Sequence, residues 1–67
     1  MMEIMINGEA RQVAPDTTLG ALIASLEVGS KVAACAVNME VVKKEQWREH
    51  TLKSGDRVEL LQFVGGG

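Results

Sequence analysis

The sequence has no pair of cysteines: Cys35 stands alone among 67 residues. An internal disulfide is therefore excluded, and a reducing compartment is expected. Metal-ligand spacing is missing as well. His50 is the single histidine, with no second histidine or cysteine at ligand distance and no paired base. It is expected to be a surface histidine, and no metal is expected. Without disulfide or metal, packing alone must stabilise the domain. No apolar stretch reaches the roughly 18 to 20 residues of a transmembrane helix, and Met1-Met2-Glu3 lacks the basic start of a signal peptide. The expectation is a cytoplasmic protein without membrane contact. Basic excess is missing too, since seven Lys and Arg against nine Asp and Glu give a net charge of −2. Strong nucleic-acid binding leaves a basic stripe. Here the one basic pair, Lys43-Lys44, is interspersed with Glu40, Glu45 and Glu49, the pattern of a mixed solvated surface.

A chain of this length forms one domain, and it buries only about 60% of the surface that its unfolded form exposes. It has room for a thin core and hardly for a deep substrate cleft. The hydrophobic fraction of 46% is that of a folded domain rather than a disordered acidic chain. Cys35 lies within the apolar run from Val32 to Val37. A catalytic cysteine needs an electropositive, partly open setting, so a buried packing role is expected. Trp47, the only tryptophan, is expected to seal one end of the core.

Hydrophobic spacing gives the elements. Met2, Ile4 and Ile6 alternate, Asn7-Gly8 follows, and Glu9 to Val13 continues. Asn-Gly between two β-prone runs is the strongest short hairpin signal, because both turn residues must accept positive φ. Ala14-Pro15-Asp16 breaks the second strand. Thr18 is the expected N-cap of a helix, whose apolar face is Leu19, Leu22, Ile23 and Leu26 at i, i+3, i+4 and i+7. Gly20 inside that helix costs about 1 kcal/mol relative to Ala. The four large side chains outweigh it, at roughly 1.5 to 3 kcal/mol each when fully buried. Gly29 supplies a stop. Val32 to Val37 reads as a buried strand, Asn38-Met39-Glu40 as a turn, and Val41-Val42 as the start of a short strand. A single helical turn is expected over Gln46 to His50, and a plain turn over Lys53 to Asp56. The last strand, Arg57 to Phe63, sets Val58 and Leu60 on one face and Leu61 and Phe63 on the other. Segregated hairpins around one helix predict an α+β fold. It is the β-grasp (ubiquitin-like) arrangement, a mixed sheet of four to five strands packed on one helix. There the first and last strands lie side by side at the centre.

The last strand runs into Val64-Gly65-Gly66-Gly67. The domain is read as residues 1–64 and the tail as residues 65–67. At an average glycine usage of about 7%, three terminal glycines arise by chance about once in a few thousand chains. A frayed end without a role is the alternative, and the missing polar spacer argues against it. Glycines without side chains can take any backbone conformation and thread a narrow channel in a partner. A terminal carboxylate, with a pKa near 3.5, is ionised and a poor electrophile at neutral pH. It can nevertheless attack the α-phosphate of ATP to give an acyl-adenylate, which reacts readily with a sulfur nucleophile.

Over its whole length the chain resembles the ThiS family, the sulfur carriers of bacterial thiamine biosynthesis. The matching residues are Ile4-Met5-Ile6-Asn7-Gly8, Thr18-Leu19, Ala36-Val37-Asn38, Val41-Val42 with Trp47, and Leu52 with Gly55-Asp56-Arg57-Val58-Glu59. Most specific is the closing Phe63-Val64-Gly65-Gly66-Gly67. Lys43-Lys44 stands where a Pro-Arg pair is common in that family. The resemblance implies that Gly67 is adenylated by an adenylyltransferase of the ThiF type, with ATP used by that partner and no cofactor bound here. Gly67 would then become a thiocarboxylate, with sulfur from cysteine through a cysteine desulfurase. Thiazole synthase (ThiG type) would receive the sulfur, together with deoxyxylulose phosphate and a glycine-derived imine. Gly65 and Gly66 would be threading residues. On this reading the chain is a monomeric carrier and co-substrate, not an enzyme.

Leu61, Phe63 and Met5 are expected to point away from the helix and to cluster on the open sheet face. With Val64 beside them, they form the expected docking patch for the activating enzyme and the synthase. Three other readings share parts of this pattern. They are a molybdopterin-synthase sulfur carrier, a ubiquitin-like modifier joined to lysines, and a non-covalent β-grasp adaptor.

Overall fold

In the computed structural model, residues 1–26 and 31–62 are described. Strands β1 (Met2–Ile6) and β2 (Glu9–Val13) form an antiparallel hairpin. Its turn takes Asn7 and Gly8 to φ 48° and 84°, the double positive φ of the primed turn that matches strand twist. The hairpin is the one the Asn-Gly pair predicts. Helix α1 (Leu19–Ser25) starts at Thr18, whose hydroxyl accepts the Ala21 N–H at 3.1 Å, a cap contributing about 1 kcal/mol. Leu19, Leu22 and Ile23 are buried and Leu26 is half-buried. The expected stop at Gly29 lies outside the described residues.

The remaining strands are β3 (Val32–Val37), β4 (Glu40–Val41) and β5 (Arg57–Gln62). They join the hairpin in one sheet of order β2-β1-β5-β3-β4. β1 and β5, first and last, pair in parallel at the centre, and all other pairings are antiparallel. This is the β-grasp arrangement. Within β3 the register shifts between Val32 and Ala34. Val32 and Cys35 are three residues apart and would face opposite sides of a regular strand. The irregularity turns both into the core, where they are 3% and 2% exposed. The short strand differs slightly from expectation, because it covers Glu40–Val41 and not Val41-Val42. Val42 instead turns inward, buried, with its N–H donated to the Cys35 carbonyl at 2.9 Å.

A 3-10 helix over Lys44–Glu49 follows, longer than the single turn expected at Gln46. Lys43, before it, has φ −64° and ψ 145°, a φ that proline also adopts. The Lys43-Lys44 departure therefore leaves this segment in an extended entry to the 3-10 helix. Trp47 is buried and donates its indole N–H to the Val42 carbonyl at 2.8 Å, closing the core as expected. The start of α1 is tied to the same region. Leu19 N–H donates to the His50 carbonyl at 2.8 Å, and Leu52 N–H to the Thr17 carbonyl at 2.9 Å. His50 is half-buried rather than fully on the surface. The core between sheet and helix centres on Ile4, Leu19, Leu52 and Val58, the large side chains removed most completely from water.

Gly20 has a second explanation that spacing alone cannot reveal. A Cβ placed there would lie 3.2 Å from the backbone N and Cα of Arg48 and 3.3 Å from the Trp47 carbonyl carbon. The glycine lets α1 and the 3-10 helix touch backbone to backbone.

Candidate functional site

β5 is the strand that leads into the glycine tail. Phe63, Val64, Gly65, Gly66 and Gly67 lie outside the described residues, so the site can be built only up to Gln62. β5 is held against β1 by Met5 N–H donating to the Asp56 carbonyl and Asn7 N–H to the Val58 carbonyl, both at 2.9 Å. β1 ends at Ile6, and there the backbone ladder stops. The Asn7 side chain extends it, its Oδ1 accepting the Leu60 N–H at 2.9 Å. The strand thus stays directed for two residues beyond its neighbour.

The other end of β5 is fixed by a second asparagine. Asn38 donates its N–H to the Arg57 carbonyl at 2.8 Å and accepts the Arg57 N–H on Oδ1 at 3.0 Å. Its Nδ2 donates to Asp56 Oδ1 at 3.0 Å, while Asp56 Oδ2 accepts the Lys53 N–H at 2.8 Å. Asp56 is only 9% exposed, and these bonds satisfy a carboxylate that burial would otherwise penalise. Asn7 and Asn38 each sit at positive φ in a hairpin turn, where the short side chain can reach neighbouring backbone. The sequence marks both as turn residues. It carries no signal that their side chains clamp β5, because the partners are 53 and 19 residues away.

Paired residues of neighbouring strands share a sheet face. Val58 and Leu60 turn toward the helix side with Val37 and Cys35. Glu59 and Leu61 therefore turn outward with Ala36 and Ala34, and Val41 joins them opposite Ala36. Two alanines on β3 between larger residues on β4 and β5 make a shallow depression of about 360 Å³. Val41 and Leu61 wall it, 77% and 66% exposed, and Glu59 adds one carboxylate. Leu61 is outward and exposed, as expected.

Met5 is not beside it. Met5 is half-buried and in register with Arg57, four residues before Leu61 along β5, on the order of 13 Å away at the usual rise per residue. The expected cluster of Met5 with Leu61 is thus corrected by the register of the parallel pair. The apolar neighbours of Leu61 are Ala34, Ala36 and Val41, residues that the sequence places in the buried strand and at the start of the short strand after it, with no signal that they face outward together.

The described residues offer surfaces rather than a reaction centre. Burial pushes the Cys35 thiol up to about 11, so at neutral pH it is a protonated packing group, as expected, and a poor nucleophile. Among the described residues no three His, Cys, Asp or Glu side chains gather to hold a metal ion. No helix among them is long and apolar enough to cross a membrane.

Comparison with known proteins agrees with this architecture. The model of the ThiS family matches residues 4–67. The sulfur carrier protein ThiS of Escherichia coli (strain K12) is 36% identical over 66 residues, covering 98% of this chain and 100% of that protein. A thiazole synthase of Paramagnetospirillum magneticum is also 36% identical over 66 residues, but this chain spans only 20% of its length. Among solved structures, the crystal structure of the thiamine biosynthesis protein ThiS from Geobacter metallireducens superposes with a TM-score of 0.80 at 34% identity. It covers 98% of this chain and 100% of the other.

Proposed function

The chain belongs to the ThiS family, and from that premise we propose that the carboxylate of Gly67 is the group through which it carries sulfur. The protein is a sulfur carrier of thiamine biosynthesis. The observation that carries the proposal is the family match, which extends through the closing glycines to residue 67. The clamped course of β5, which leads toward them, supports it.

The chemistry follows from what a carboxylate lacks. Its negative charge repels nucleophiles, so oxygen must first be made a leaving group. Attack of the Gly67 carboxylate on the α-phosphate of ATP forms the acyl-adenylate and releases pyrophosphate. A persulfide charged from cysteine on a partner then attacks the acyl carbon through its terminal sulfur as AMP departs. A second thiol cleaves the S–S bond of the resulting acyl disulfide, which leaves the Gly67 thiocarboxylate and a disulfide on the partner. The first step belongs to a ThiF-type adenylyltransferase, and the sulfur comes from cysteine through a cysteine desulfurase. Thiazole synthase is the acceptor, and a relative bearing that name, with this chain's counterpart in one-fifth of its length, supports it. Gly65 and Gly66 thread the partner's channel, because a side chain there would obstruct the nucleotide and the incoming sulfur. Leu61 docks the partner, with Phe63 and Val64 following it in the chain, and Met5 serves as a separate contact. The buried thiol of Cys35 favours the reducing cytoplasm.

Intact mass after incubation with the adenylyltransferase, ATP, cysteine and desulfurase tests this. The expected result is a product heavier by one oxygen-to-sulfur exchange, localised to Gly67. A lysine adduct would instead indicate a protein modifier, and an unchanged mass a non-covalent adaptor.

A further inference from the structure

The two asparagines that clamp β5 occupy turns of the same conformation and differ in the residue that follows. Asn7 and Gly8 have φ 48° and 84°, and Asn38 and Met39 have φ 52° and 73°. Asparagine followed by glycine is the pairing most prone to ring closure in a polypeptide. The next backbone nitrogen attacks the side-chain amide carbon, and a residue without Cβ leaves that approach unhindered. The turn at Asn7 meets this steric requirement. Both of its residues are exposed, and a Cβ at Gly8 would find nothing within 4 Å. At Asn38 the following residue is methionine, whose side chain hinders the same attack.

What opposes the reaction at Asn7 is the clamp itself. Asn7 Oδ1 accepts the Leu60 N–H at 2.9 Å, and Asn7 Nδ2 donates to the Leu60 carbonyl at 3.4 Å. Both ends of the amide are thus held on β5. Ring closure swings the Asn7 side chain back onto its own backbone, which requires those bonds to open.

We propose that Asn7 is a site of self-modification by deamidation, gated by its hydrogen bonds to Leu60. When the clamp opens, the Gly8 nitrogen gives up its proton and bonds to Asn7 Cγ. A succinimide ring closes as the Cγ–Nδ2 bond breaks, and ammonia leaves with that proton. Water then adds to one of the two ring carbonyls and cleaves its bond to the ring nitrogen, leaving aspartate or isoaspartate at position 7. Neither product restores the clamp. Aspartate keeps an acceptor for the Leu60 N–H but sets a carboxylate oxygen against the Leu60 carbonyl, where a donor stood. Isoaspartate also routes the main chain through Cβ and so lengthens the turn. Deamidation therefore releases the end of β5 irreversibly, whether or not Gly67 carries sulfur.

The test is peptide mapping by mass spectrometry of the purified full chain during prolonged incubation in mildly alkaline buffer, with and without enough urea to unfold it. The expected product carries aspartate or isoaspartate at position 7, with Asn38 still intact when half of Asn7 is converted. The folded chain should react about tenfold more slowly than the unfolded one, the protection that two modest hydrogen bonds give. Hydrogen exchange of the Leu60 amide, which reads local opening, should be about tenfold faster in the isoaspartate chain than in the unmodified one. Asn7 left unconverted in the folded chain, equal rates with and without urea, or Asn38 converting as fast as Asn7 would each overturn the proposal. Leu60 exchange that is the same in both chains would overturn it as well.

Discussion

At the scale of single residues, burial decides what each polar or reactive group can do. The Cys35 thiol, ordinarily near 9.0, is pushed up to about 11 by desolvation. Below pH 9 it is neutral in both folded and unfolded chains, and its stabilising contribution is fully present. As pH rises from 9 toward 11 the unfolded chain ionises first, so that contribution is lost. Tm measured across this window should fall more steeply in wild type than in Cys35→Ala, and equal slopes would contradict the placement of the thiol. Cys35 and Trp47 were both legible as core residues, because the types and apolar company of buried side chains show in the sequence. The roles of Asn7, Asn38 and Asp56 were not. Each reads as an ordinary turn residue, and the long-range bonds that make Asn7 and Asn38 clamps exist only once β5 lies between β1 and β3.

Elements show the same division between local and distant causes. The first hairpin, the capped start of α1 and the faces of β5 follow from turn chemistry and periodicity, which act over a few residues. The irregularity in β3 is a matter of partner register, since Val32 and Cys35 can both face inward only against a neighbour that permits it. Gly20 belongs to this second kind. Propensity alone marks it as a flaw costing about 1 kcal/mol, yet the backbone of Arg48 stands 3.2 Å from where its Cβ would be. Gly20→Val should therefore destabilise the domain by about 1–3 kcal/mol, the range for overpacking, measured by urea unfolding. A more stable variant would show that α1 and the 3-10 helix can separate without loss.

For the whole molecule, one sheet order explains both the fold and the direction of its last strand. Placing β1 and β5 in parallel at the centre buries Ile4 and Val58 against the helix, and it leaves Leu61 exposed on the opposite face. The adjacency of first and last strands was readable from element order. Their offset was not, and it separates Met5 from Leu61. A parallel pair has no connecting turn to set its register. Among the described residues the surface offers exposed apolar groups and no metal-holding cluster, which suits the carrier proposed above, whose chemistry would be performed on Gly67 by others. That account is tested most directly by sulfur delivery to thiazole synthase from the wild-type chain, from one lacking Gly67, and from one extended past Gly67 by a single amino acid. The account predicts thiazole product with wild type and none with either variant, while all three share the same Tm. Product formed at the wild-type rate by the extended chain would contradict it.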